Sequence, residues 1–272
     1  MLFRSDLETV EREEGILFSV LGIRGGLAAV NLDDERITRQ AEQISESQKI
    51  TYSLKRPANI RGHLSFGQND EIWMDVEGLS SYPERFRVPL EGSHNARNLL
   101  GAIALAHGLG LTLTEIYKGL RTFQPPPGRS EMHLWEGCKV LADTYNANPT
   151  SVEAALETLF GSTLQEGETW VCLGDMLELG SFEESLHRGL ADPIQKHGVK
   201  HVFLFGPRMK KLEDELRSRK FQGTLAHFDS QEQMADRLRK SARSGDRILI
   251  KGSRGMRMEN VWESLRKQRK DL

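Results

Sequence analysis

The chain has 272 residues, 38% of them hydrophobic and 28% charged, a globular balance with room for two domains of ordinary size. A net charge of −2 gives nucleic acid or an anionic membrane nothing to recognise, and no apolar run approaches the roughly 20 residues that span a bilayer. The acidic opening MLFRSDLETVEREEG lacks the apolar stretch of a signal peptide, and Cys138 and Cys172 fall in expected strands without metal-ligand spacing, which suits reduced core residues of a cytosolic protein.

In chain order, 27–31 reads as a buried strand and 34–45 as a helix. Short alternating strands follow, among them 72–76 and 86–90. An Ala/Leu-rich helix is expected over 96–107 and another over 114–120, with Thr112-Leu113-Thr114-Glu115 as the start signal of the second. The run Gln124-Pro125-Pro126-Pro127-Gly128-Arg129 stops both helix and strand, so 124–130 is expected to be a linker between domains over 1–123 and 131–272. Beyond it the pattern is regular, with strands at 138–142, 169–174, 200–205, 224–228 and 246–251. Helical patterns at 151–160, 182–197, 208–219, 230–242 and 255–268 separate them. Such alternation implies a largely parallel sheet covered by helices. The basic tail, Arg266-Lys267-Gln268-Arg269-Lys270, reads as a solvated helix end.

The most informative string is DTYNANP, residues 143–149. A buried strand runs into an acid, two side-chain amides and a proline at a helix start, an arrangement suited to a phosphate-bearing ligand beyond the carboxyl ends of the strands. An Asp turn followed by a helix cap fits the same residues. Four further motifs accompany it. GSHNARN (92–98) precedes the Ala-rich helix, PGRSE (127–131) sits in the linker, LGDMLELG (173–180) follows a strand and is trailed by His187, and KGSRG (251–255) closes the last strand.

Taken in this order, the motifs closely resemble those of the Mur ligases of peptidoglycan synthesis, over nearly the whole chain. DTYNANP, LGDMLELG and KGSRG are similar to the branch that adds a D-alanyl-D-alanine dipeptide, rather than to siblings that add single amino acids. The resemblance implies an α/β fold: a truncated central, ATP-binding domain, then a Rossmann-like C-terminal domain with a mostly parallel sheet. It implies ATP and Mg2+ as cofactors, with UDP-muramoyl-tripeptide and D-alanyl-D-alanine as substrates, in the cytoplasm. In this family ATP activates a carboxylate as an acyl phosphate, and an incoming amine then forms the amide. The chemistry needs cationic groups that spread phosphoryl charge and tight positioning of two reactants.

Carried over residue by residue, the resemblance gives His94, Asn95 and Asn98 to adenine, where a side-chain amide offers both donor and acceptor. A helix N-cap at Asn95 is the plain alternative. Arg129 matches the linker arginine that reaches the nucleotide phosphates, although a solvated arginine after a glycine fits too. Asp143 and Asn146 fall to the nucleotide, while Asn148 lines the same crevice on the dipeptide side. Asp175 and Glu178 are placed to meet the dipeptide ammonium, or to form an acidic surface loop. Lys251, Ser253 and Arg254 offer positive charge to its carboxylate, or make a basic turn. Asn31 with Asp33 and Asp34 resembles a family string read as structural.

The sequence departs from the family pattern at the phosphate-binding loop, since no Gly-x-x-Gly-Lys-Thr/Ser string occurs. The amino-terminal UDP-sugar domain and the magnesium-binding glutamate and histidine also have no counterpart here. Glu14 occupies the position of the family lysine that is carbamylated to bridge magnesium. A glutamate supplies the same charge on a shorter arm, and a helix face without that function fits equally. Three readings follow: one half of a split enzyme completed by a complementary amino-terminal partner, a fragment of an ordinary ligase, or a non-catalytic remnant that binds a nucleotide or a partner.

Overall fold

In the computed structural model, which describes residues 7–67, 71–90, 92–160 and 167–267, the chain separates into two units, Ser5–Gln124 and Pro125–Leu272. The first unit opens with α1 (Leu7–Arg24), β1 (Ala28–Asn31) and α2 (Glu35–Gln40). β2 (Lys49–Ser53), β3 (Ile60–Phe66), β4 (Ile72–Glu77) and β5 (Glu84–Arg87) follow, then α3 (Ser93–Gly108) and α4 (Leu113–Thr122). Its sheet runs β1-β2-β3-β4-β5, with the first three strands parallel and the last two antiparallel. On one face Leu100, Ile103 and Ala104 of α3 pack against Ile60, Met74, Val76 and Phe86. Beside β1, Ala28 and Val30 meet Ala41 and Ile44, with Phe18 and Leu21 of α1 joining from the edge.

Local chemistry sets the helix ends. Thr112 and Glu115 form the reciprocal capping box expected at the start of α4. Asp34 accepts the N–H groups of Arg36 and Ile37 and starts α2. The helix expected over 34–45 is shorter than its pattern suggests. It stops at Gln40 and tightens into 3-10 turns, and the side chains of Ala41 and Ile44 beyond it are buried in the cluster beside β1.

In the second unit β6 (Glu131–Trp135) pairs antiparallel with β7 (Cys138–Asp143). The chain continues through α5 (Pro149–Phe160), β8 (Thr169–Gly174), α6 (Glu183–Gly189), α7 (Ala191–Lys196) and β9 (His201–Phe205). It closes with α8 (Lys210–Ser218), β10 (Thr224–Phe228), α9 (Gln231–Ser241), β11 (Arg247–Lys251) and α10 (Glu259–Arg266). The strand order is β10-β9-β8-β11-β7-β6, and every neighbouring pair but the last is parallel. Alternate residues feed two cores. Val140, Cys172, Ile248 and Ile250 face α9 and α10, whereas Leu141, Val171, Leu173 and Leu249 join the core of α5 to α8. Each such leucine or isoleucine, fully buried, contributes about 1.5–3 kcal/mol relative to exposure.

Two details differ from the sequence expectation. β6 extends the sheet as an antiparallel edge, pairing Trp135 with Cys138 across a tight turn that holds Glu136 and Gly137 at positive φ. The single helix expected over 182–197 breaks at Leu190, because Pro193 has no N–H to offer the carbonyl of Gly189. Of the basic tail, Gln268, Arg269 and Lys270 lie outside the described residues.

Candidate functional site

Parallel register brings the site of the second unit together. β11 returns after β10 to insert between β7 and β8, placing Lys251 level with Asp143 on one side and Leu173 on the other. Three loops far apart in sequence therefore leave the sheet at one edge: 143–148, 175–179 and 251–254. Lys251 is buried, and its ammonium bonds the Asp143 carboxylate and, at 2.8 Å, the carbonyl oxygen of Asn146. Burial pushes the Lys251 ammonium below the usual lysine range, the Asp143 charge opposes that shift, and Arg129 adds to it. The other Asp143 oxygen accepts the backbone N–H of Ser130 at 3.1 Å. Tyr145 in turn donates its N–H to the Gly128 carbonyl at 2.8 Å, so 128–130 is fastened to the end of β7.

Above this pair stands an exposed ring. The Arg129 guanidinium lies 4.0 Å from the Tyr145 ring centroid, and that of Arg254 lies 5.7 Å from it. Arg254 also approaches Glu259, at 4.0 Å. Asp143 answers the charge of Lys251 and Glu259 that of Arg254, so Arg129, stacked on the exposed Tyr145 ring, is a cation that this edge offers an anion.

The start of α5 contributes less than the sequence suggests. Asn148 accepts the Ser151 N–H at 2.8 Å, and Ser151 Oγ accepts the Asn148 N–H at 3.0 Å. Pro149 has no N–H, and the Val152 N–H bonds the Asn148 carbonyl. Only the Thr150 N–H of the first turn falls outside this pattern, so the cationic side chains rather than a ring of backbone donors supply the attraction for phosphate. The Asn146 side chain accepts the Ala147 N–H at 2.8 Å and stands in an exposed position.

Ser253 is buried and knits the loops. It donates from its N–H to the Asp175 carbonyl at 3.1 Å, and its Oγ accepts the Leu177 N–H at 2.8 Å. That Oγ also reaches the Ala147 carbonyl at 3.3 Å. Asp175 has no exposed surface. Its Oδ1 accepts the Met209 N–H at 2.9 Å, and Arg208 lies 3.6 Å from Oδ2. Beside it Gly206 holds φ +103, and a Cβ there would come within 2.5 Å of the Asp175 carboxylate. Glu178, by contrast, is exposed and adopts φ +63.

In the first unit, α3 is capped by Gly92 at φ +96, not by Asn95, which lies inside the first turn. His94 and Asn98, four residues apart, share a face of α3, with Asn98 exposed and His94 half-buried. Asp33 accepts from Ser53 and the Leu54 N–H, and Asn31 accepts the Asp33 N–H, so the Asn31-x-Asp33-Asp34 string serves the fold. Glu14 is exposed on α1. Its neighbour Glu11 makes the helix's ion pairs instead, bonding Arg39 at 2.9 and 3.0 Å and Gln40 at 3.2 Å, and Arg39 holds the Glu11 carboxyl below the usual range. Among the described residues no group of three or more His, Cys, Asp or Glu is placed to hold a metal ion.

Residues 3–106 match the family described as Mur ligase middle domain, and 128–254 match that described as Mur ligase, glutamate ligase domain. The chain belongs to the Mur ligase family. Among curated relatives, it is 27% identical over 270 residues to the UDP-N-acetylmuramoyl-tripeptide–D-alanyl-D-alanine ligase of Bacillus subtilis, covering 96% of this chain and 57% of that protein. It is 36% identical over 186 residues to the enzyme of that name from Treponema pallidum, covering 67% of this chain and 39% of that protein. Among solved structures, MurF from Acinetobacter baumannii aligns with a TM-score of 0.78 at 22% identity, over 96% of this chain and 56% of that one. MurF ligase from Thermotoga maritima in complex with ADP aligns at 0.74 and 20% identity, over 90% of this chain and 55% of that one. These last two are likenesses of fold, mixed α/β with a half-parallel first sheet and a mostly parallel second.

Within the Mur ligase chain, then, Asp143, Asn146, Lys251 and Arg129 meet at one edge of the second sheet, and Asn148, Asp175, Ser253 and Arg254 stand in the loops around them. The sequence reading divided Asp143 from Lys251, one for nucleotide and one for dipeptide, whereas the two charges neutralise each other in a single pair. It also passed over Tyr145, which lies inside DTYNANP. The signal for it was present: an aromatic residue in one motif, with arginines in the PGRSE and KGSRG motifs. No helix among the described residues is long and apolar enough to cross a membrane.

Proposed function

We propose that these 272 residues supply the nucleotide-facing and amine-facing parts of an ATP-dependent ligase that joins D-alanyl-D-alanine to a UDP-muramoyl-tripeptide in peptidoglycan synthesis, in the cytoplasm. The observation that carries it is the cluster in which the Asp143–Lys251 pair supports Arg129 and Arg254 around Tyr145. The names of the Bacillus and Treponema relatives point the same way. Because the match spans 57% of the one relative and 39% of the other, the activity and substrates belong to this proposal.

In this reading the tripeptide carboxylate attacks the γ-phosphorus of ATP, ADP leaves, and the amine of the dipeptide displaces phosphate from the acyl phosphate. Each step moves negative charge, and side chains already aimed at that charge lower its cost. Arg129 and Arg254 are held against the Tyr145 ring, where a polyphosphate or carboxylate replaces solvent around them. Lys251 is fixed by Asp143 and the Asn146 carbonyl, so it shapes the loop more than it travels to a ligand. His94, Asn95 and Asn98 remain the adenine-facing candidates in the first unit. The β- and γ-phosphates still need a Gly-Lys-Ser/Thr loop, which these residues lack. We assign that loop to a complementary amino-terminal partner or segment. Exposed Glu14, at the position of the family's carbamylated lysine, favours a second reading, in which the chain binds nucleotide or a partner without turnover.

Calorimetric titration with ADP tests both, followed by an assay of dipeptide-dependent phosphate release after adding a polypeptide that carries the phosphate loop. The ligase reading expects ADP binding that weakens about tenfold or more in Arg129→Ala, a loss of roughly 1.5–3 kcal/mol. It also expects phosphate release only in the mixture. Binding without release in any mixture supports the second reading, and no binding by folded protein, alone or in the mixture, removes the ligase reading and the nucleotide-binding form of the second.

A further inference from the structure

His187 lies on α6, outside the cluster just described, and is fully buried. Its Nδ1 donates to the Glu183 carbonyl one turn earlier at 2.6 Å, and its Nε2 accepts the Met176 backbone N–H at 3.1 Å. A backbone N–H only donates and a carbonyl only accepts, so the partners fix the ring as neutral, with its proton on Nδ1. Met176 belongs to the 175–179 loop, and the next N–H, that of Leu177, bonds Ser253 Oγ. The loop therefore hangs from two successive donors, one tied to α6 and one to the turn after β11.

The charges around the ring are committed to one another. On α6, Glu183 bonds Arg208 at 2.6 Å, Glu184 bonds Lys211 at 3.1 Å, and Arg188 bonds Glu184 at 3.1 Å and approaches Glu215 at 3.5 Å. From the loop, Asp175 faces Met209 and Arg208, while Glu178 is exposed. Among the described residues no carboxylate bonds either ring nitrogen.

We propose that His187 is a positioning residue whose ring, held between the Glu183 carbonyl and the Met176 N–H, fixes the 175–179 loop to α6, so that removing the ring's acceptor releases the loop while the sheet beneath it stays formed. The effect on the amine substrate rests on the ligase reading above, whereas the order of the loop does not.

The test is amide hydrogen exchange on the full chain, comparing the parent with His187→Leu and His187→Gln. In His187→Leu, protection of Met176 and Leu177 is expected to fall about tenfold or more, with protection of β8 unchanged. In His187→Gln the side-chain oxygen can still accept the Met176 N–H, so protection should be retained. Parent-like loop protection in His187→Leu overturns the proposal, as does a loss of equal size in His187→Gln. Met176 protection in the parent no greater than that of exposed Glu178 overturns it without a variant. In the complemented assay, His187→Leu should raise the dipeptide KM and leave that for ATP in place. A loop that His187→Leu loosens in a chain without ligase activity leaves this proposal standing and removes only the ligase reading.

Discussion

The two units treat apolar surface differently. In the second, strands β7, β8, β9 and β11 send alternate side chains into two cores, and helices cover both faces. In the first, α3 and α4 cover one face well, but α1 carries Ile16, Leu17, Val20 and Ile23 at 59%, 62%, 40% and 86% exposure. Those four positions follow helical spacing and make one stripe along α1. The second unit is thus built around its own interior, while the first presents an apolar helix face of the kind that monomers rarely leave open. Chemistry divides along the same line, since the buried Asp143–Lys251 pair needs a rigid sheet behind it.

The two cysteines both lie in the second unit, and Trp73 is the sole tryptophan of the first, so thiol labelling reads the second unit, and fluorescence reads the first once Trp135, Trp170 and Trp262 are replaced by phenylalanine. The sharpest way to break the comparison is Lys251→Met. It leaves Asp143 without its cation and should destabilise the second unit by about 3–5 kcal/mol, seen as faster labelling of Cys138 and Cys172. The Trp73 signal should not move, and a matching shift there would mean that rigidity is not confined to the second unit. Next comes pH. Burial pushes the Cys138 thiol from 9.0 up to about 11, so the folded unit holds that proton more tightly than the unfolded chain. Stability from this group is full below pH 9.0 and is lost as pH rises towards about 11, by about 3 kcal/mol in all. Denaturant titrations of Cys138→Ala against the parent across that window should show the slope reduced, with the buried Cys172 thiol, also pushed up, keeping part of it. An equal slope in both would place its origin elsewhere. Smallest in stability is the double change Ile16→Glu with Ile23→Glu, expected within about 0.5 kcal/mol because both side chains are exposed. It should nonetheless reduce concentration-dependent association in sedimentation. Unchanged association would show that the α1 stripe attracts nothing.

Much of this was readable beforehand where one local rule decided the outcome. The alternation after 138, the Thr112–Glu115 cap and the placing of three motifs at strand ends each follow from periodicity or short-range hydrogen bonding. What escaped depends on partners distant in sequence. Lys251 reads as a basic turn residue until β11 is seen to enter between β7 and β8, opposite Asp143. Glu131 to Trp135 has too weak an alternation to announce a strand, and only pairing with β7 makes it one. Asp175 reads as an exposed acid because nothing nearby in the chain reveals that the loop of Gly206 to Met209 closes over it.

That closure constrains the order in which this chain can change over generations. A side chain at 206 collides with the Asp175 carboxylate, and φ +103 already disfavours one. A substitution at 206 is therefore accessible only after 175 has become smaller, and each intermediate also gives up the bond that Asp175 makes to the Met209 N–H. The pair is passed on as a single trait, and a library that varies either position alone should return it unchanged.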